Sequence, residues 1–196
     1  MAEISELTPE EVRSVYRTYL VHDFPRSERK TLGIIEAALA RNEYRCFGLK
    51  EGTDIQAYAF LVTLKRICLI DYLAVRGDLR GQGIGSRFLG ALGASAAEHT
   101  DCLLLEVDDP DAAPDEAERE VRLRRLHFYL KNGLRDTGAR SLVFGVRFRI
   151  LEIPVPAAHT PQEARTVYET LYRAILPAPL YRRMVRTSLS VDDTGT

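Results

Sequence analysis

Residues 70–92, IDYLAVRGDLRGQGIGSRFLGAL, combine residue types that suit the binding of a diphosphate. An apolar stretch ends at Val75, a polar turn follows, and glycines alternate at Gly81, Gly83 and Gly85, where a helix is predicted to begin. Glycine lets the backbone approach an anion closely, and the first N–H groups of a helix have no intrahelical acceptor. The helix dipole and the charge of Arg80 add attraction. The segment therefore predicts a diphosphate site, and a glycine-rich turn that only lets the helix pack tightly is the alternative.

The glycine spacing differs from that of the two common nucleotide-binding loops. A dinucleotide fingerprint needs Gly-x-Gly-x-x-Gly in a parallel βαβ unit and an acidic residue about 20 residues further on. Here the strands before the loop are predicted to be antiparallel, and the Gly-Lys-Ser/Thr of a P-loop is absent. Neither nucleotide-binding class fits this sequence.

The elements that must position the loop follow from hydrophobic periodicity and turn residues. Residues 44–49, 55–64 and 67–75 are rich in β-branched and aromatic residues, and their short links require antiparallel hairpins. Thr8 and Ser27 are predicted to cap two N-terminal helices. Further helices are expected from residue 84 and over 115–130 and 161–174, and further strands over 4–7, 102–107 and 142–153. The fold class is therefore α+β, a mostly antiparallel central sheet with helices on its faces.

The chain length favours one domain over residues 1–196, since 196 residues are enough for one well-buried core and few for two. Residues 157–196 are expected to form a C-terminal helical extension. In it Tyr168, Leu171, Tyr172, Ile175 and Leu176 make an apolar stripe, which favours a core or a homodimer contact over a ligand surface.

The loop and the strand before it resemble the acetyl-CoA motif of the GNAT superfamily of N-acetyltransferases. The family pattern Arg/Gln-x-x-Gly-x-Gly/Ala is met by Arg80, Gly83 and Gly85, after an apolar-Ala-Val run at Leu73, Ala74 and Val75. The likeness spans residues 57–149. It implies a sheet splayed between its two middle strands, here 67–75 and 102–107, with acetyl-CoA entering the gap. It assigns the pyrophosphate to the loop and the pantetheine arm to the strand; the cofactor-binding residues are Leu73, Ala74, Val75, Arg80, Gly81, Gln82, Gly83, Ile84, Gly85 and Ser86.

A second segment, LHFYLKNGL at residues 126–134, resembles the family's Phe-Tyr motif before a glycine that ends a helix. The resemblance implies that Tyr129 faces the departing sulfur. A phenol with a pKa near ~10 can give its proton to a thiolate. The alternative is a core aromatic residue with its hydroxyl at the surface.

The acceptor amine must lose a proton before it attacks. For an ammonium of pKa ~10.4, becoming neutral at pH 7 costs about 4–5 kcal/mol, which a nearby carboxylate would relieve. Glu106, late in the strand CLLLEV, is the first candidate base and Asp71 the second. Both could instead lie on the solvated face of a strand. In the family, the region around Phe24 and Glu28 often covers the acceptor site, so these two residues and Asp71 are candidate substrate contacts.

Composition argues against other function classes. The formal net charge of −1 gives no field that would draw the molecule to nucleic acid or an anionic membrane. The basic run within residues 115–131 is explained by self-paired helix charges, Glu118 with Arg122 and Glu120 with Arg124. The four histidines and three cysteines lack metal-ligand spacing, so no metal is expected.

The N-terminus has no apolar core of signal-peptide length, and no window is apolar enough to span a membrane. Together with the odd cysteine count, this predicts a soluble, cytoplasmic protein. We expect an acyltransferase that moves an acetyl group from acetyl-CoA to a primary amine of a small molecule or a protein in a ternary complex. The alternatives are a non-catalytic acyl-CoA-binding sensor and a nucleic-acid-binding protein.

Overall fold

The computed structural model describes residues 2–26, 28–155 and 157–190. The chain forms two compact units, Met1–Glu98 and His99–Thr196, and each has its own antiparallel strand pairings. The mixed α+β class predicted from the sequence is confirmed. The splay was expected between strands that belong to different units, so it stays a prediction, as does the single domain.

The first unit contains four strands in the order β1-β2-β3-β4, each antiparallel to its neighbour. They are β1 (Glu3–Glu6), β2 (Tyr44–Glu51), β3 (Asp54–Leu64) and β4 (Ile67–Val75). The two predicted hairpins are confirmed, and Gly52 at φ 61° and Lys65 at φ 54° make their turns. The tight second link pairs β4 with β3 from Ile67 to Val75, and the register shifts once, at a bulge between Phe60 and Leu61 that leaves Asp71 of β4 without a partner in the ladder.

The helices of the first unit are α1 (Pro9–Val15), α2 (Val21–Asp23), α3 (Leu32–Ala40) and α4 (Ile84–Ala97), and a π-helical turn, Tyr16–Leu20, joins α1 to α2. The predicted cap at Thr8 is confirmed, because its side chain accepts from the Glu11 N–H while Glu11 returns the bond. The predicted cap at Ser27 lies outside the described residues. Thr31 caps α3 instead, accepting from the Ile34 N–H. The core of this unit buries Val15, Leu20, Ile35, Phe60 and Phe88 completely.

The second unit contains four antiparallel strands in the order β5-β7-β6-β8. They are β5 (Cys102–Asp108), β6 (Arg135–Val143), β7 (Val146–Ile153) and β8 (Val185–Leu189). Its helices are α5 (Glu116–Lys131), α6 (Pro161–Ile175) and α7 (Ala178–Met184). α5 begins after an Asp115 cap, and the two ion pairs predicted on it are confirmed, Arg122–Glu118 at 3.0 Å and Arg124–Glu120 at 3.5 Å.

Two predictions for this unit are wrong. The single strand expected over 142–153 is the end of β6 and all of β7, separated by a turn in which Phe144 and Gly145 have φ of 49° and 88°. The extension expected to be helical also contains β8, which pairs with β6 from Ala139 to Val143. The segment VRTSL is only five residues long, and its pairing with the edge of β6 stabilises it as a strand. Within the described residues, none of the helices is both long and apolar enough to cross a membrane.

Candidate active site

The glycine loop leaves β4 at Val75, passes through a short 3-10 turn, Gly77–Leu79, and enters α4 at Ile84. Gly83 is the N-cap residue, and its φ of 77° lies in the left-handed region. Arg87 is the residue whose N–H reaches the carbonyl of Gly83, at 3.1 Å. This is the first hydrogen bond of the helix. Within the helix there is no acceptor for the N–H groups of the three residues before Arg87, which are Ile84, Gly85 and Ser86. The predicted helix start is confirmed.

The loop needs glycine for its backbone conformation. Gly81 and Gly83 have φ of 78° and 77°, while a Cβ built on either would meet no atom within 4 Å. A left-handed residue with a side chain costs about 1–2 kcal/mol, and glycine avoids this cost. Gly81, Gln82, Gly83 and Ser86 are exposed, so the start of α4 lies open at the surface of its unit. An exposed helix N-terminus with bare amides can bind an anion.

The Arg80 side chain lies at the end of β4. Its guanidinium donates to the Val75 carbonyl at 3.1 Å and to Asp23 Oδ1 at 2.7 Å. Asp23 Oδ2 in turn accepts from the Tyr58 hydroxyl at 2.8 Å. The Arg80 side chain is 60% exposed, so it is accessible to an anionic ligand. Sequence analysis did not identify Asp23 as the partner of Arg80, because 57 residues separate them.

A second arginine, Arg87, extends from the first turns of α4. It is exposed and donates to Gln56 Oε1 on β3 at 2.9 Å. Sequence analysis passed over it, although an arginine four residues after the N-cap of an anion-binding helix is a usable signal.

The backbone of Leu73, Ala74 and Val75, predicted to pair with pantetheine, belongs to the last part of β4. On one side these residues pair with Ala59, Tyr58 and Ala57 of β3. This pairing fixes the strand that leads into the loop. The pantetheine role stays a prediction.

The three candidate substrate contacts, Phe24, Glu28 and Asp71, lie around Tyr72 of β4. The Phe24 ring packs edge-on against the Tyr72 ring with centroids 5.0 Å apart. The Tyr72 hydroxyl donates to the Glu28 carbonyl at 2.9 Å and accepts from the Lys30 N–H at 2.8 Å. The loop between α2 and α3 is therefore bound to β4, and the structure brings these candidates together.

Asp71 is not the solvated carboxylate that the sequence left open. The ammonium of Lys30 lies 2.7 Å from both of its oxygens, and the Tyr44 hydroxyl donates to Oδ2. Burial raises the pKa of Asp71, and the charge of Lys30 opposes this effect. A carboxylate that is already paired with a lysine is a poor general base, so Asp71 is the weaker of the two candidates.

Tyr129 lies on α5 in the second unit and is buried, with 8% of its surface exposed. Burial raises its pKa above the usual value; the charge of Arg125 opposes this and that of Asp108 adds to it. Arg125 donates to Asp108 at 2.7 Å, so the two charges largely cancel. The phenol therefore keeps its proton over the range in which acetyltransfer would run, as a proton donor requires.

Glu106, the first candidate base, lies on β5 in the same unit and is half-buried. Its carboxylate accepts hydrogen bonds from the hydroxyls of Tyr168 and Tyr172 on α6; the Tyr172 oxygen is 3.1 and 3.0 Å from the two carboxylate oxygens. The sequence predicted both tyrosines only as part of an apolar stripe, without this contact. Their spacing of four residues was the available signal, since it puts both hydroxyls on one helix face.

Among the described residues, one group of side chains has the composition of a metal site: Cys102, Glu152 and His159, with ligand atoms within 4.8 Å of one another. Both oxygens of its carboxylate already have hydrogen-bond partners in the protein. Arg135 donates to Glu152 Oε1 through Nε at 3.1 Å, and Oε2 lies 3.0 Å from His159 Nδ1. An ion-pair network explains this cluster, and the expectation of no metal stays a prediction.

Comparisons with known proteins identify the family of the chain. A family model described as "Acetyltransferase (GNAT) family" matches residues 9–117, more than half of the chain. No curated protein sequence is similar enough to this chain to count as a relative.

Several solved structures share the fold. The ribosomal-protein-S18-alanine N-acetyltransferase of Escherichia coli is 22% identical, with a TM-score of 0.56 over 81% of this chain and 97% of that one. A GNAT-family protein from Bacteroides thetaiotaomicron is 17% identical, with a TM-score of 0.63 over 86% and 93%. A Bacillus subtilis acetyltransferase in complex with CoA is 16% identical, with a TM-score of 0.52 over 78% and 98%.

At these identities the structural likeness shows the fold alone. The family model spans β2 to β5 and includes residues 73–86, in which the sequence predicted the acetyl-CoA motif. The chain belongs to the GNAT family and is an acyltransferase.

Proposed function

We propose that this acyltransferase is an N-acetyltransferase that moves the acetyl group of acetyl-CoA to a primary amine by direct attack in a ternary complex. The observation that carries the proposal is the start of α4, where Gly83 adopts a left-handed conformation and the next amides lie at an exposed helix N-terminus. Such an N-terminus favours a diphosphate, because both the bare N–H groups and the helix dipole attract negative charge.

The loop residues fit coenzyme A in charge and in shape. Gln82 to Ser86 would hold the diphosphate through their backbone, and Arg80 and Arg87 supply two exposed guanidinium groups on either side of Gly83. Leu73, Ala74 and Val75 would hold the pantetheine arm by backbone pairing. Acetyl-CoA supplies the acyl group as a thioester, whose thiolate is expelled when the amine attacks.

Tyr129 is the proposed proton donor to the departing thiolate. Its buried phenol has a raised pKa, so it is protonated at neutral pH. General acid catalysis of this kind contributes about 10²–10⁴-fold to a rate.

Glu106 is the proposed base that receives the proton of the acceptor ammonium, directly or through water. It is preferred to Asp71, because Asp71 is paired with Lys30 at 2.7 Å whereas the partners of Glu106 include two neutral phenols. An anion at this position would lower the cost of presenting a neutral amine, about 4–5 kcal/mol for a lysine-like group at pH 7.

The loop that carries Phe24 and Glu28 is the proposed cover of the acceptor site, and these two residues and Asp71 are the proposed substrate contacts. The acceptor is a primary amine of a small molecule or of a protein. We also propose a cytoplasmic location, since Cys46, Cys68 and Cys102 are buried and are not joined in disulfides, which suits a reducing compartment.

Calorimetric binding of CoA and of pantetheine tests the loop directly. Pantetheine lacks the diphosphate and the adenosine 3′-phosphate attached to it, so CoA should bind at least about tenfold more tightly, the equivalent of about 1.4 kcal/mol. Equal affinities would remove the diphosphate site and with it the proposal.

Release of free thiol from acetyl-CoA in the presence of candidate amines tests the transfer. A panel of polyamines, amino acids and peptide N-termini should contain at least one amine that accelerates thiol release above the rate without acceptor. Tight CoA binding without acceleration by any amine would instead support a non-catalytic acyl-CoA sensor.

A further inference from the structure

The Glu106 carboxylate on β5 is held by one face of α6. The Tyr168 hydroxyl donates to Oε1, and the Tyr172 hydroxyl lies 3.1 and 3.0 Å from Oε1 and Oε2. The two rings lie side by side with centroids 4.7 Å apart. Tyr168 is fully buried and Tyr172 is 8% exposed, so neither ring can easily turn away from the carboxylate. Two phenol protons thus fix the orientation of one carboxylate.

The Tyr168 phenol is built to act as a donor. Burial and the neighbouring charge of Glu106 raise the pKa of Tyr168 well above its usual value, so it stays protonated. Its oxygen also lies 3.0 Å from Ser141 Oγ on β6, a buried hydroxyl that holds the phenol from the other side. A chain of hydrogen bonds therefore runs from β6 through α6 to β5.

These contacts have a chemical consequence. Burial disfavours an ionised carboxylate, whereas hydrogen bonds donated to the charged form favour it. Glu106 is half-buried on β5, with Ile150 of β7 opposite it in the sheet. The groups that face its carboxylate include the Tyr168 and Tyr172 phenols of α6, with the Ser141 hydroxyl of β6 behind Tyr168. The two phenols therefore offset part of the cost of desolvating the carboxylate.

We propose that Tyr168 and Tyr172 are positioning residues that keep the Glu106 carboxylate ionised and oriented to accept the proton of the acceptor amine. This inference rests on the proposed function of Glu106 as the base. It gives α6, which lies outside the family-model match at residues 9–117, a part in the reaction.

The test is the pH dependence of kcat/KM for Tyr168→Phe, Tyr172→Phe and the double variant, measured with an amine identified by thiol release. Each substitution removes one hydroxyl that donates to the carboxylate. It should therefore move the acid limb of the profile to higher pH by about half to one pH unit. The double variant should move it further. Tyr→Phe keeps the ring, so the fold should be retained, and thermal unfolding checks this.

Tyr181→Phe is the matched control. Tyr181 lies on α7 in the same C-terminal segment, and its ring packs over Arg173 of α6 at 5.2 Å, a contact that phenylalanine preserves. This variant should leave the acid limb in place. An equal shift in the control, or no shift in the Tyr168 and Tyr172 variants, would overturn the inference.

A second readout does not depend on catalysis. In protein labelled with ¹³C at the glutamate carboxyls, the resonance that disappears in Glu106→Gln identifies Glu106. Its protonation midpoint should rise in Tyr168→Phe and in Tyr172→Phe, and an unchanged midpoint would contradict the inference.

Glu106→Gln separates this inference from the proposal on which it rests. If Glu106→Gln transfers acetyl groups at the wild-type rate, Glu106 is not the base and both fail. If Glu106→Gln is slow while the tyrosine variants keep the wild-type acid limb, only the role of the tyrosines fails.

Discussion

The Arg80 guanidinium and the Asp23 carboxylate form an ion pair of 2.7 Å that joins the glycine loop to the end of α2. The Asp23 side chain is mostly covered, with 13% exposed, and its second oxygen accepts from Tyr58 at 2.8 Å. The 60% exposed arginine is thus held by a fixed acidic partner beside the proposed diphosphate site. A diphosphate that recruits Arg80 must compete with Asp23 for it.

Asp23→Asn should therefore raise the affinity for CoA by a few-fold, because it removes both a competitor for Arg80 and a negative charge near the ligand. Arg80→Ala should lower the affinity about 10- to 100-fold, the loss expected for one hydrogen bond to a charged group of about 1.5–3 kcal/mol. Calorimetry measures both changes. Glu43→Gln, which breaks an exposed ion pair with Arg41, is the control and should change nothing. Weaker binding in Asp23→Asn would mean that Asp23 positions Arg80 for the ligand.

The sequence predicted the glycine loop and its surroundings well, because the information there is local. Each hairpin link beside the loop is two residues long, so alternation of apolar residues sets the strands and most of their register. The start of α4 follows from glycines at the positions that need a left-handed backbone. The conformation of such a short turn depends on the residues within it, so a short stretch of sequence is enough to predict it.

The partners of the candidate site could not be predicted in the same way. Glu106 meets Tyr168 across 62 residues of chain, and Lys30 meets Asp71 across 41. Such pairs depend on the topology of each unit, and the hydrophobic periodicity of a single segment cannot predict them. β8 was missed for the same reason, because its strand conformation depends on pairing with β6.

The left-handed conformation of Gly83 gives a second prediction. In Gly83→Ala the loop should leave this conformation in the free protein and return to it on binding, at a cost of about 1–2 kcal/mol. CoA should then bind at least about fivefold more weakly. Gly90→Ala is the matched control: it lies exposed in the middle of α4, and its Cβ would meet no atom within 4 Å. It should leave CoA affinity unchanged and stabilise the helix by about 0.5–1 kcal/mol. Equal affinities for the two variants would show that the φ of Gly83 does not matter for binding.

The Lys30–Asp71 pair gives a prediction about stability and pH. Lys30→Met removes the charge but keeps much of the side-chain length, and it leaves a half-buried carboxylate without this cation. We expect a loss of about 1–2 kcal/mol in the free energy of unfolding at pH 7.5.

The sign of the pH effect follows from the pKa of Asp71, which burial raises and Lys30 opposes. Without Lys30 the folded state binds the Asp71 proton more strongly than the unfolded state does. The loss of stability in Lys30→Met is then smallest below the usual pKa of Asp, about 3.9. It grows as the pH rises towards the higher pKa that Asp71 has in the folded state. Urea unfolding at pH 4 and pH 7.5 measures it. Arg41→Met, at an exposed pair with Glu43, should change the free energy of unfolding little at both pH values, because water and salt screen such a pair. A deficit in Lys30→Met that is larger at pH 4 would contradict the assigned pairing.

Tyr129 gives the prediction that bears most directly on the chemistry. Tyr129→Phe removes the proposed proton donor but keeps the buried ring and its edge contact with Phe128, whose centroid is 5.4 Å away. Turnover should fall about 10²-fold or more, while CoA affinity stays within about twofold of wild type, because the phenol acts only when the thiolate departs. Since burial raises the pKa of Tyr129, the wild-type rate should show no alkaline loss from this group until the pH exceeds about 10.

Thiol donors of different acidity distinguish this role from a structural one. A thioester with a more acidic leaving thiol needs less protonation, so Tyr129→Phe should be impaired less with such a donor than with acetyl-CoA. The same fractional loss with both donors, at unchanged CoA affinity and thermal stability, would mean that Tyr129 supports the site by packing and gives no proton to the sulfur.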